Sequence, residues 1–153
     1  MFLTAALTAG ILLAAPPPGL EPVKPGPREK CPVCGMFVAK YPDWIAGIRY
    51  RDGSRLLFDG AKDLFKFLLG LDGGAAPRRS DVESIFVTDY YGVVPVDAKA
   101  AFFVVGSDAY GPMGRELVPF ARLEDAREFQ RDHHGERILK FAEVTAEVVK
   151  ALD

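Results

Sequence analysis

Trp44, Ala46, Ile48 and Tyr50 alternate with Ile45, Gly47 and Arg49, and Asp52-Gly53 then turns the chain back through Arg55 to Phe58. Period-two alternation marks a strand with one face on a core. Asp-Gly between two such runs selects a tight hairpin. A fold that opens on a hairpin must cover its apolar face, and the next segment supplies the cover. Asp59 is read as the N-cap of a helix in which Ala61, Leu64, Phe65 and Leu68 recur at helical spacing. Gly70 and Asp72-Gly73-Gly74 stop this helix, and residues 83–88 read as a further strand. The order is β-β-α-β.

The downstream half repeats it. Residues 93–96 form a short strand that Pro95 directs to a sheet edge. Residues 101–105 are a buried apolar strand, 106–114 a glycine-rich loop and 116–120 a pairing strand. A helix follows over 123–133, with Glu124 and Asp125 at its positive end and Arg131 at its negative end. Gly135 ends it, 138–141 is the closing strand, and 145–151 a last helix. Leu56-Leu57-Phe58 before Asp63 to Phe67 is echoed by Leu117 to Phe120 before Asp125 to Phe129. The predicted fold is α+β, two tandem ββαβ-type units packed as one small domain. The first unit covers 28–92 and the second 93–153.

Ahead of them, residues 2–15 are uncharged and almost wholly apolar, the length of a signal-peptide h-region and too short to span a bilayer. Export is therefore expected, with 1–15 as the signal-like segment, although no Lys or Arg precedes the apolar run. Residues 16–27 carry six prolines and read as an extended tether. The net charge of −2 gives no electrostatic argument for nucleic acid or an anionic membrane.

The chemistry concentrates in the sulfur residues. The chain has two cysteines and three methionines, one of them the initiator. They stand in Cys31-Pro32-Val33-Cys34-Gly35-Met36 and Tyr110-Gly111-Pro112-Met113-Gly114. Both settings are turns, and thiolate with thioether is the soft donor set that favours Cu(I). Cys31, Cys34 and Met113 are the expected ligands, with Met36 as a further one. Of His133-His134, His134 beside Gly135 is the better candidate to complete the set, against the role of a solvated helix end. Cys31 and Cys34 alone leave other readings open: a disulfide, a small thiol oxidoreductase, or a zinc-stabilised interaction domain. Met113 discriminates, since only copper gives a thioether work. No nucleophile with a base, no phosphate loop and no dinucleotide motif is present, so the chain is not expected to be an enzyme.

Over about 30–145, the chain resembles the NosL family. The likeness rests on Cys31 to Met36, on Phe58-Asp59-Gly60 leading into a helix, on Gly106-Ser107 and on Gly111 to Gly114 before Leu117 to Phe120. Phe129, His134-Gly135 and Ile138 to Phe141 also fit. The resemblance implies a periplasmic Cu(I)-binding protein of two ββαβ-type halves. It would pass copper towards the copper-sulfide centre of nitrous oxide reductase, working with that enzyme's maturation machinery in denitrification. It places thiolate and methionine ligands at Cys31 or Cys34 and at Met113. Family members are commonly lipoproteins, but no cysteine follows the signal-like region and Arg28-Glu29-Lys30 before Cys31 is not a lipobox. An acyl anchor therefore has no sequence basis, and a metal-linked dimer is left open.

Overall fold

The computed structural model describes residues 20–71, 73 and 78–153. The expected signal-like segment and the Asp72-Gly73-Gly74 stop lie wholly or largely outside them. Strands β1 (Ala46–Tyr50) and β2 (Arg55–Phe58) form the Asp52-Gly53 hairpin, with Ala46 opposite Phe58 and Arg49 opposite Arg55. Helix α1 (Ala61–Leu68) follows, and β3 (Val82–Thr88) returns antiparallel to β1 on its other side. Gly70, at φ +70°, ends α1: its N–H bonds the Phe67 carbonyl, and the Leu71 N–H bonds Lys66. This is the Schellman closure that a left-handed glycine permits.

The second unit comprises β5 (Phe102–Val105), β8 (Val118–Phe120), α2 (Leu123–Asp132) and β9 (Arg137–Lys140). Between β5 and β8 a small hairpin of β6 (Tyr110–Gly111) and β7 (Gly114–Arg115) carries Met113 at its turn. The strand orders are β2-β1-β3-β4 in one sheet, with β4 (Pro95–Asp97) at its edge, and β8-β5-β9 in the other, so the first strand of each unit lies inside its sheet. The mixed helix-and-sheet architecture with two ββαβ-type units is as expected. Helix α3 (Ala146–Lys150) closes the chain, capped by Thr145.

Two local readings change. Trp44 lies outside β1, because Pro42 opens a 3-10 turn over Pro42–Trp44 and the strand begins at Ala46. The strand expected at the head of the second unit, β4 (Pro95–Asp97), pairs instead with β3 at the edge of the first sheet. Asp89 makes this return: its Oδ2 accepts from Gly92, its N–H donates to the Val94 carbonyl, and its Oδ1 accepts from Ala121. The stretch read as a tether lies, over 20–27, against the first sheet. Leu20 is buried, and Arg49 and Arg55 donate to the Glu21 and Lys24 carbonyls.

The core explains the patterning. On β5, Phe103 and Val105 join the large cluster shared with α1 and the first sheet. Val104 points the other way, into a cluster with Val118, Phe120, Ala126 and Phe129 beneath α2. A strand covered on both faces reads as an unbroken apolar run, and 102–105 does. Phe65 of α1 joins the units, its ring 5.2 Å from Phe103 edge-on and 5.0 Å from Phe141. Phe65→Ala is expected to cost about 3–5 kcal/mol. Urea unfolding checks this, and an unchanged midpoint would mean that the units hold together without this ring.

Candidate metal site

The cysteine turn is closed by its own backbone. The Cys31 N–H donates to the Met36 carbonyl at 2.8 Å and the Gly35 N–H to the Cys31 carbonyl at 2.9 Å, while Lys30 and Phe37 form a bridge beyond. Gly35 sits at φ +76°, a conformation that favours glycine. Both sulfurs are free thiols, Cys31 buried and Cys34 half-buried.

They point at two carboxylates on the start of α1. Asp59 does not cap the helix: Gly60 occupies the N-cap, and no side chain of the cap residue bonds the first turn. Asp59 instead turns to Cys34, whose Sγ lies 3.3 Å from both of its oxygens. Cys31 Sγ lies 3.3 Å from Asp63 Oδ2. Asp63 lies in the first turn of α1, and Asp59 stands just ahead of the helix across the extended Gly60. Their oxygens and the two sulfurs all fall within 4.8 Å of one another. Asp63 Oδ1 is buried without a hydrogen-bond partner. Such an orphaned acceptor inside a cluster of donor atoms suits a cation.

Burial sets the protonation. It pushes the Cys31 thiol up to about 12, against the lowering effect of backbone hydrogen bonds from Cys34 and Asp59. Cys34 is raised too, first by burial and then by neighbouring Asp63 and Cys31. Asp63 is raised by burial, although hydrogen bonds from the thiols pull the other way. The cluster therefore holds its sulfurs as S–H groups donating to carboxylates. A metal must displace those protons.

Met36 is half-buried and contributes its carbonyl to the cysteine turn. Met113 is 40% exposed at the β6–β7 turn. That turn is fastened to α1: Lys62 Nζ donates to the Met113 carbonyl, and Glu116 Oε1 accepts the Lys62 backbone N–H at 2.5 Å. Glu116 thus supplies the capping acceptor that Asp59 does not. Neither histidine belongs to the thiol–carboxylate cluster. His133 stacks on Phe129 at 4.3 Å with Nδ1 2.8 Å from Asp108 Oδ1, and His134 is exposed with φ +54°. Asp59 is read from the sequence as a helix cap and Asp63 carries no assignment there; only the fold brings their carboxylates to the thiols.

The NosL family profile matches residues 22–149. The copper-binding lipoprotein NosL of Stutzerimonas stutzeri is 29% identical over 133 residues, which cover 82% of this chain and 66% of that protein. The chain thus spans slightly less than two thirds of that relative. The crystal structure of the copper chaperone NosL from Shewanella denitrificans has the same fold, with a TM-score of 0.70 at 24% identity over 85% of this chain and 99% of that one. The solution structure of apo-NosL from Achromobacter cycloclastes is 28% identical over 68% of this chain and 87% of that one, with a TM-score of 0.49.

Glu116 makes the second unit's contribution titratable. Burial lifts its carboxyl from 4.5 to about 8, opposed by the Leu117 and Lys62 hydrogen bonds and the Lys62 charge and aided by Asp63. A folded value above the unfolded one means that folding takes up a proton. The stability is whole below about pH 4.5 and is lost as pH rises through about 8. Glu116→Gln keeps the acceptor oxygen and removes the titration. Its urea midpoint is expected to fall less than the wild type's between about pH 5 and about pH 9. Parallel curves would show that Glu116 ionises in the fold as it does in water.

Proposed function

This chain belongs to the NosL family, and from that premise we propose that it is an exported, non-enzymatic Cu(I) chaperone that hands copper to a copper enzyme. By kinship the client is the copper-sulfide centre of nitrous oxide reductase, and the site of action the periplasm. One observation carries the reading: two free thiols are turned onto buried carboxylates, one of whose oxygens has no partner. Soft sulfur donors suit Cu(I) as cargo. Among the described residues no helix is long and apolar enough to cross a membrane.

The exchange balances simply. A thiol gives up its proton to solvent and its sulfur takes Cu(I) in its place. Cys34 is the half-exposed sulfur and the one an incoming ion meets first, whereas Cys31 lies behind it at 1% exposure. Two thiolates with two ionised carboxylates would gather more negative charge around one Cu(I) than a buried site tolerates. One thiolate with the neutral Met113 thioether avoids that. Release follows by ligand exchange, in which a sulfur or imidazole of the client binds before Met113 or the thiolate departs.

A redox role is less well supported. A nucleophilic cysteine needs a lowered pKa, and burial raises both of these. A zinc-held interaction site is the second reading, favoured by the four donors of two cysteines and two aspartates within 4.8 Å.

Anaerobic titration of the reduced full chain against a chromophoric Cu(I) competitor separates these. About one Cu(I) is expected to bind tightly, with binding abolished in a Cys31→Ser/Cys34→Ser double variant. Met113→Ala is expected to weaken it about 10–100-fold, as loss of a tuning ligand does, with thermal unfolding still cooperative. Binding indifferent to Met113 and displaced by zinc would transfer the assignment to the zinc site. Because protons leave as copper enters, affinity is expected to rise with pH by about tenfold per unit for each proton displaced. Affinity flat from about pH 6 to about pH 8 would place the copper away from the thiols.

A further inference from the structure

Lys62 takes no part in the thiol–carboxylate cluster, yet it is one of the most deeply buried side chains, 2% exposed. Its Nζ donates to the Met113 carbonyl at 2.8 Å and to the Leu152 carbonyl at 3.4 Å, and lies 3.4 Å from Asp153 Oδ1. Its backbone N–H donates to Glu116 Oε1 at 2.5 Å. One residue therefore grips the segment 113–116 at both ends. Its immediate neighbour Asp63 accepts from Cys31. An ammonium in a core is costly even when paired, and leucine or methionine fills such a helix position without that cost. What Lys62 holds must account for it. The backbone it holds carries Met113, whose side chain is exposed at the turn.

We propose that Lys62 is a positioning residue for the cargo: it fixes the methionine turn relative to the cysteine turn so that the Met113 thioether is presented to a Cu(I) on a cysteine thiolate. This rests on the reading that Met113 is a copper ligand. Lys62 touches neither metal nor sulfur. It acts through the Met113 carbonyl and, one residue along α1, through the placement of Asp63.

The test is Cu(I) competition on the full chain and on Lys62→Leu, Met113→Ala and the double variant. Lys62→Leu is expected to weaken binding about 10–100-fold and to remove one sulfur from the copper shell in X-ray absorption, which a general loss of stability would not do. On the Met113→Ala background the same substitution is expected to add little, as for two residues acting through one contact. Additive effects, or a Lys62→Leu variant with unchanged affinity and sulfur count, overturn the proposal. If Met113→Ala alone leaves affinity unchanged, the ligand reading fails instead. Should Lys62→Leu not fold, the unsubstituted apo protein still decides. A clasped turn is expected to give amide order parameters near ~0.85 at Met113 and Gly114, and values below ~0.6 overturn it.

Discussion

The bond between the Glu116 carboxylate and the Lys62 N–H, 2.5 Å long, closes the first turn of α1 with a group from the other half of the chain. The same turn presents Asp63 to Cys31, and the residue before it in the cluster, Asp59, leaves β2 to meet Cys34. The thiol–carboxylate cluster is thus assembled from a loop, a strand end and a helix start. That helix start is completed only when the second unit has docked. A helix beginning without a partner for its leading N–H groups is costly, so the site and the packing of the two units form together. A binding site of this kind couples cargo affinity to the integrity of the whole fold.

Its electrostatics follow from where the acids and thiols lie. Asp63, Glu116 and Cys31 are all buried, and burial opposes the charged form of each. Lys62 is the buried cation among them, and its ammonium is spent on carbonyls and Asp153. The site is consequently rich in protons and short of positive charge. On the proposed reading, a monovalent soft ion entering it exchanges with a proton instead of adding to an existing charge.

Most of the fold is legible in the sequence because its signals are local. Asp52-Gly53 names its hairpin, the period-two run names β1, and the helical spacing of Ala61, Leu64 and Phe65 names α1. The apolar run 102–105 announces a strand covered on both faces. What stays hidden depends on contacts distant in sequence. Asp59 looks like an N-cap because cap preference is local, but the thiol that claims it comes from 25 residues earlier. β4 is readable as an edge strand, yet the sheet it joins is decided by how Asp89 ties its loop. Lys62 and Glu116 occupy positions any surface helix or strand end would fill with charge, and nothing in their neighbours in sequence tells of their burial. Cys31, Cys34 and Met113, the donors of the proposed site, stand out in the sequence for the opposite reason: they are rare residues placed in turns.

Copper K-edge X-ray absorption of the Cu(I)-loaded, reduced full chain reads directly what surrounds the metal. A low-coordinate shell made of sulfur, thiolate together with thioether, is expected. A shell dominated by oxygen and nitrogen, or one that keeps the same sulfur count after both cysteines are replaced, would contradict it.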